Sequence, residues 1–162
     1  LKSQQGGDIG ERMADAFTRV FKKGYDRILL IGSDLPDLPV LILEQGLADL
    51  VEKPAIIGPS EDGGYYLIGF RRSAFSGLAF SAIEWDRPDV CVQTLIRLKK
   101  MDIPASRLQT WSDIDSISDL QKLARRLRIG KSQAAHTRTY IENWPNKQWI
   151  NKTDIDGIIK NE

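Results

Sequence analysis

The chain has 162 residues, with 23 Lys and Arg against 22 Asp and Glu and a net charge of +1. That is enough to bury one sizeable core and too little for two full domains. The balanced charge excludes a field that would by itself gather nucleic acid or anionic membrane, and the single cysteine, Cys91, excludes an internal disulfide and fits a reducing, cytoplasmic setting. No apolar run approaches membrane-spanning length and no signal peptide is recognisable at the start, so a soluble protein with no membrane span is expected.

Apolar residues at Ile9, Met13, Ala16, Phe17, Val20 and Phe21 recur every three or four positions, which predicts an amphipathic helix capped by Asp8 and ended by Gly24. Arg27 to Ile31 is short, continuous and apolar, the pattern of a buried central strand in a mostly parallel sheet. Gly32 and Ser33 stop that run, and Asp34 follows at the carboxyl end, where open α/β sheets collect ligands. Pro36 and Pro39 stiffen the turn by fixing φ. Asp34 is thus the first candidate for chemistry, while Asp37 either caps the next helix or faces a substrate.

Val40 to Glu52 reads as a second helix with a broad apolar face, and Ala55 to Gly58 as a buried strand. The loop Pro59 to Gly64 carries Glu61 and Asp62 before the pair Gly63-Gly64, which either turns a plain hairpin or lets backbone approach a ligand. Tyr65 to Phe70 is the next strand. A short helix and loop are expected over Arg71 to Trp85, then a helix from Pro88 to Met101 that carries Cys91 on its apolar face. Arg107 to Trp111 suits a last, edge strand; the acidic stretch Ser112 to Asp115 and a helix from Ser116 to Arg128 follow. Beyond Gly130 the periodicity weakens into a C-terminal extension over residues 130–162, after a domain over 1–129. His136 there has no second ligand-type residue at metal spacing and reads as a surface residue; Trp144 and Trp149 either pack on the domain or anchor an interface, which keeps a homo-oligomer in view.

Three loops at presumed strand ends therefore carry acids: Asp34 with Asp37, Glu61 with Asp62, and Asp113 with Asp115. Carboxylates gathered along one sheet edge can share Mg²⁺ or Mn²⁺, hard ions that favour oxygen ligands and phosphate substrates. P-loop, dinucleotide, zinc and serine-hydrolase motifs are all missing from the sequence.

Four segments, QQGGDIGERM (Gln4 to Met13), LLIGSDLPDLP (Leu29 to Pro39), GPSEDGGYYLIG (Gly58 to Gly69) and, more loosely, Trp85 to Thr94, occur in an order that resembles one bacterial family. It is the glycosyltransferase-like family of nucleotide-diphospho-sugar transferases with a GT-A fold, a domain of unknown function. The resemblance implies a three-layer α/β/α sandwich with a mostly parallel sheet, lacking an N-terminal strand and nucleotide-binding loop that precede these motifs in the family. It also implies a transferase, once complete, that takes a nucleotide or nucleotide-sugar substrate. Asp34 stands where the family has its metal-binding aspartate, and Asp115, within DIDSISDL, resembles the second metal-side aspartate of related nucleotidyltransferases, with Ser116 in the place of a usual Thr. Asp62, Gly63 and Gly64 resemble the acceptor- or sugar-facing loop, with Asp34 and Asp62 as the catalytic candidates. Gln4, Gly7 and Asp8 match the segment before the first helix and, with Ser33 and Asp37, form the remaining substrate-side set. Glycosyl transfer from a nucleotide-diphospho-sugar, nucleotidyl transfer to a phosphorylated acceptor, and a non-catalytic binding or oligomerisation domain all remain compatible with these motifs.

Overall fold

The computed structural model describes residues 3–129 and 134–144. Its chain divides into two compact units: residues 1–33 with 38–113, and residues 34–37 with 114–162. In the first unit the elements run α1 (Ile9–Phe21), β1 (Arg27–Ile31), α2 (Val40–Asp49), β2 (Ala55–Pro59), β3 (Tyr65–Arg71), two 3₁₀ turns (Arg72–Ala74 and Gly77–Phe80), α3 (Val90–Lys100) and β4 (Ala105–Arg107). The second unit contains α4 (Ile117–Ile129) and α5 (Ala135–Glu142).

The sheet has the order β1-β3-β2-β4. β3 is antiparallel to both its neighbours, whereas β2 and β4 are parallel, so three of the four strands run one way and β3 opposes them. β1 accordingly stands at the edge of the sheet rather than at its centre, with both ends exposed and its middle half-buried. The hairpin after β2 is the cause: it turns the chain straight back and inserts β3 between β1 and β2. The central, fully buried strands are β2 and β3. The last strand begins two residues earlier than its sequence suggests, at Ala105, and Trp111 returns as an isolated parallel bridge to Ser60.

The strand pleat sorts side chains into two layers. On one face Met13, Phe17 and Phe21 of α1 close over Ala55, Ile68, Phe70 and Leu98 of α3, with Ile28 and Leu30 packed at the margin. On the other, α2 comes down on Leu29 and Ile56: a side chain at Gly46 would reach within 2.8 Å of Ile56 Cδ1, so this glycine lets helix and sheet approach closely, while Gly69 leaves room for the Leu29 and Ile56 side chains of the flanking strands. Helix, sheet and helix make the expected α/β/α layering.

The starts of α1 and α4 follow their sequence signals. Asp8 Oδ1 accepts from the Glu11 amide at 2.7 Å, which satisfies one of the otherwise unpaired donors of α1, and Glu11 Oε2 reaches back to accept from the Gly7 amide, just ahead of the cap, at 2.7 Å. α4 starts on a reciprocal pair: the Asp119 amide donates to Ser116 Oγ at 3.2 Å, and the Ser116 amide donates to Asp119 Oδ2 at 3.1 Å. The second unit has its own small core of Leu123, Ala124, Leu127, Ala134 and Ile141. Tyr140 and Trp144 stack edge to face with ring centroids 5.1 Å apart. His136 is exposed on α5. Trp149 lies outside the described residues.

Candidate functional site

The β2–β3 hairpin is built from Ser60 to Gly64. The Ser60 amide donates to the Gly64 carbonyl at 3.0 Å and the Gly63 amide to the Ser60 carbonyl at 3.3 Å, with Gly63 at φ +93°. Gly63-Gly64 is therefore a hairpin turn, and only Gly63 needs the left-handed region. Asp62 folds over this turn, its Oδ1 accepting from the Gly64 amide at 2.9 Å, while its side chain stays exposed.

The residues that follow β4 run beside the same hairpin. Trp111 donates its amide to the Pro59 carbonyl at 3.1 Å, and Leu108 donates to Ile57 at 2.8 Å. The Tyr66 phenol donates to the Gln109 carbonyl at 2.9 Å and fastens the intervening residues. This pairing carries Asp113 alongside the loop, so that a carboxylate oxygen of Asp113 and one of Asp62 come within 4.8 Å of one another. Asp113 is half-buried. Two carboxylates at that spacing, at the carboxyl ends of the parallel strands β2 and β4, fit a hard divalent cation such as Mg²⁺ or Mn²⁺ and suit Zn²⁺ poorly, since among the described residues no nitrogen or sulfur donor groups with them. Burial pushes the Tyr65 phenol well above its ordinary range, so it stays protonated at neutral pH and brings no negative charge to the strand beyond the loop.

The other predicted residues are placed differently. Asp34, exposed, lies in the second unit, where its carbonyl accepts from the Ile114 amide at 3.0 Å; this bond sets Asp34 next to the stretch that continues into Asp115. Asp37 is almost wholly buried at its side chain, 5% exposed, and takes a bidentate grip from Arg126, with Nε donating at 2.8 Å and Nη2 at 3.2 Å. It does not cap α2, whose N-cap is Pro39, without a side-chain bond. Ser33 and Gln4 are exposed, while Gly7 and Asp8 spend the contacts described above on opening α1. Cys91 is buried, and loss of solvation raises its thiol, as befits a small core residue.

Asp113 is the residue that the sequence weighed too lightly beside Asp115. Its signal was present: it is the first acid after the β4 segment, the position at which a strand delivers a side chain to the sheet's ligand edge.

Residues 1–87 match the profile of a family described as an uncharacterized protein conserved in bacteria, DUF2064. No curated protein matches the chain. A crystal structure from Desulfovibrio desulfuricans G20, provisionally described as a nucleotide-diphospho-sugar transferase, superposes with a TM-score of 0.79 at 38% identity over 86% of this chain. The chain spans 62% of that protein's length. On the matched segment and this shared architecture, the chain belongs to the DUF2064 family, whose fold is that of the nucleotide-diphospho-sugar transferases.

Proposed function

We propose that the chain serves a divalent-metal-dependent glycosyltransferase activity that uses a nucleotide-diphospho-sugar donor. The observation that carries this reading is the approach of Asp62 and Asp113 at the carboxyl ends of two parallel strands. The description of the related Desulfovibrio protein supports the donor class. Asp62 and Asp113 would hold the cation; when bound, it neutralises the charge that gathers on a departing diphosphate. Transfer breaks the bond between the sugar's anomeric carbon and a diphosphate oxygen, joins that carbon to an acceptor hydroxyl, and leaves a proton for a nearby carboxylate to take. In the second unit, Asp34 and Asp115 are the further acidic residues that the family pattern assigns to the metal side, and Asp34 is a catalytic candidate together with Asp62.

Nucleotidyl transfer is the second reading, favoured by the likeness of DIDSISDL, Asp113 to Leu120, to the acidic motif of nucleotidyltransferases. The two differ in their released product, a nucleoside diphosphate in one and pyrophosphate in the other.

Calorimetric titration of the full chain with Mn²⁺, then with nucleotides and nucleotide sugars in its presence, tests the proposal. Mn²⁺ binding that Asp62→Asn weakens about tenfold or more, and nucleotide binding that requires Mn²⁺ and is lost in Asp34→Ala, is the expected result. Undiminished Mn²⁺ binding by Asp62→Asn overturns it.

A further inference from the structure

Helix α3 lacks an ordinary cap. Its N-cap residue, Asp89, makes no side-chain bond to the helix backbone; its carboxylate is taken by Gln93 Nε2 at 2.9 Å and Arg87 Nε at 3.2 Å. A first-turn amide still needs a partner. The Cys91 amide finds it outside the helix, in the carbonyl of Gly63 at 2.9 Å. The loop that carries Asp62 is thus bonded directly to the first turn of α3.

The same glycine touches the segment leading into α3 on its other side. A side chain at Gly63 would bring its Cβ to 1.7 Å from the Pro88 carbonyl oxygen, a backbone atom that no rotamer change can move aside. Its φ of +93° is also one that L side chains rarely adopt. Gly63 can hold this place only as glycine. One residue away, the Gly64 amide fixes the Asp62 carboxylate at 2.9 Å.

We propose that Gly63 is a positioning residue for Asp62, clamping the Ser60–Gly64 loop to the first turn of α3 so that the Asp62 carboxylate stays in reach of Asp113. This rests on Asp62 serving as a cation ligand, the reading given above. The clamp makes α3 a reporter of the site: an ion held at Asp62 steadies the loop, and the steadied loop keeps the first turn of α3 closed over Cys91.

Cys91 is the only cysteine in the sequence and is 5% exposed, so its reaction with a thiol reagent measures how often that turn opens. The test uses the full chain and Mn²⁺ alone. Gly63→Ala is expected to bind Mn²⁺ about tenfold more weakly, the usual effect of disturbing the support of a metal ligand. Gly24→Ala serves as the control for backbone strain, because Gly24 has φ +98° but open space around it; it should bind Mn²⁺ as the unaltered chain does. In the unaltered chain, saturating Mn²⁺ should slow Cys91 labelling several-fold, and in Gly63→Ala much less. Wild-type affinity in Gly63→Ala, or an equal loss in Gly24→Ala, overturns the proposal. Should Gly63→Ala fail to fold, labelling of the unaltered chain decides alone: a rate indifferent to Mn²⁺ refutes the clamp. Asp62→Asn separates the two levels. If it binds Mn²⁺ undiminished, the cation reading falls and the clamp with it; if it weakens binding while Gly63→Ala does not, only the clamp falls.

Discussion

Asp37 and Arg126 show what a single buried carboxylate demands of a fold. A carboxylate 5% exposed is costly unless both oxygens are engaged, and Arg126 engages both through one planar fork. Removing the guanidinium takes this bidentate contact away from a buried carboxylate. Because Arg126 is itself one-third exposed, solvent moderates the loss, and Arg126→Met should cost about 2 kcal/mol of stability. Denaturant unfolding measures the cost, and the double change with Asp37→Asn should recover part of it. If Arg126→Met alone is neutral, the ion pair is not what holds Asp37. The partner lies 89 positions away in the sequence, so no local pattern around Asp37 could have announced it. Read locally, an acid just before a helix is a cap or a ligand; the N-cap of α2 is Pro39, and the pairing of Asp37 with Arg126 is a tertiary contact that the neighbouring sequence does not encode.

At the scale of elements, α4 depends on the pair Ser116 and Asp119. Hydrogen bonds from Ser116, then from Lys122, hold the Asp119 carboxyl below its ordinary range, so the folded helix favours the charged form. The sign follows directly. A carboxyl lowered on folding contributes stability above its unfolded pKa, near 4, and that contribution disappears as pH falls through the lowered folded value. Amide exchange in the first turn of α4 should therefore quicken as pH drops below about 4, after correction for intrinsic rates, and Asp119→Asn should remove the pH dependence. An unchanged slope in that variant would assign the effect to another group. Legibility at this scale was good wherever the signal is local. The Asp8 cap, the spacing of Met13, Phe17 and Phe21, and the Ser116 start all act within a turn of helix, and all stand as the sequence implied. α2 is the contrast. Its near-continuous apolar sequence promises a broad buried face, yet only Ile42 and Gly46 are buried within the helix, and Leu41 is 72% exposed. A run with little periodicity cannot say which side meets the sheet.

For the whole molecule, the layering was legible because strand and helix alternate along most of the chain, but the order of strands was not. β1 and β2 look alike as apolar runs; what sends β1 to the edge is the hairpin at Ser60–Gly64, a choice between turn and ligand loop that Gly63-Gly64 leaves open in sequence. The same hairpin brings β3 into the centre, where Phe70 meets Phe17 edge to face at 5.2 Å. Phe17 is the hub of the first unit's core: it is 1% exposed, and the rings of Phe75, Phe21 and Phe80 lie 5.2, 6.0 and 6.0 Å from it. Phe21 is a neighbour one turn along α1; the others come from β3 and the segment of 3₁₀ turns directly after it, far from α1 in sequence. Truncating the ring leaves a cavity that they cannot all collapse into at once, so Phe17→Ala should cost about 3–5 kcal/mol. Set against a typical total of roughly 5–15 kcal/mol, that is a large share of what holds a domain together. Phe17→Leu keeps most of the volume and should cost about half as much. Denaturant midpoints for the two variants check the ordering, with an unchanged slope showing that the same surface unfolds in each. Equal costs would mean that the cavity is filled by movement of α1, and that the sheet, rather than this aromatic cluster, sets the stability of the first unit.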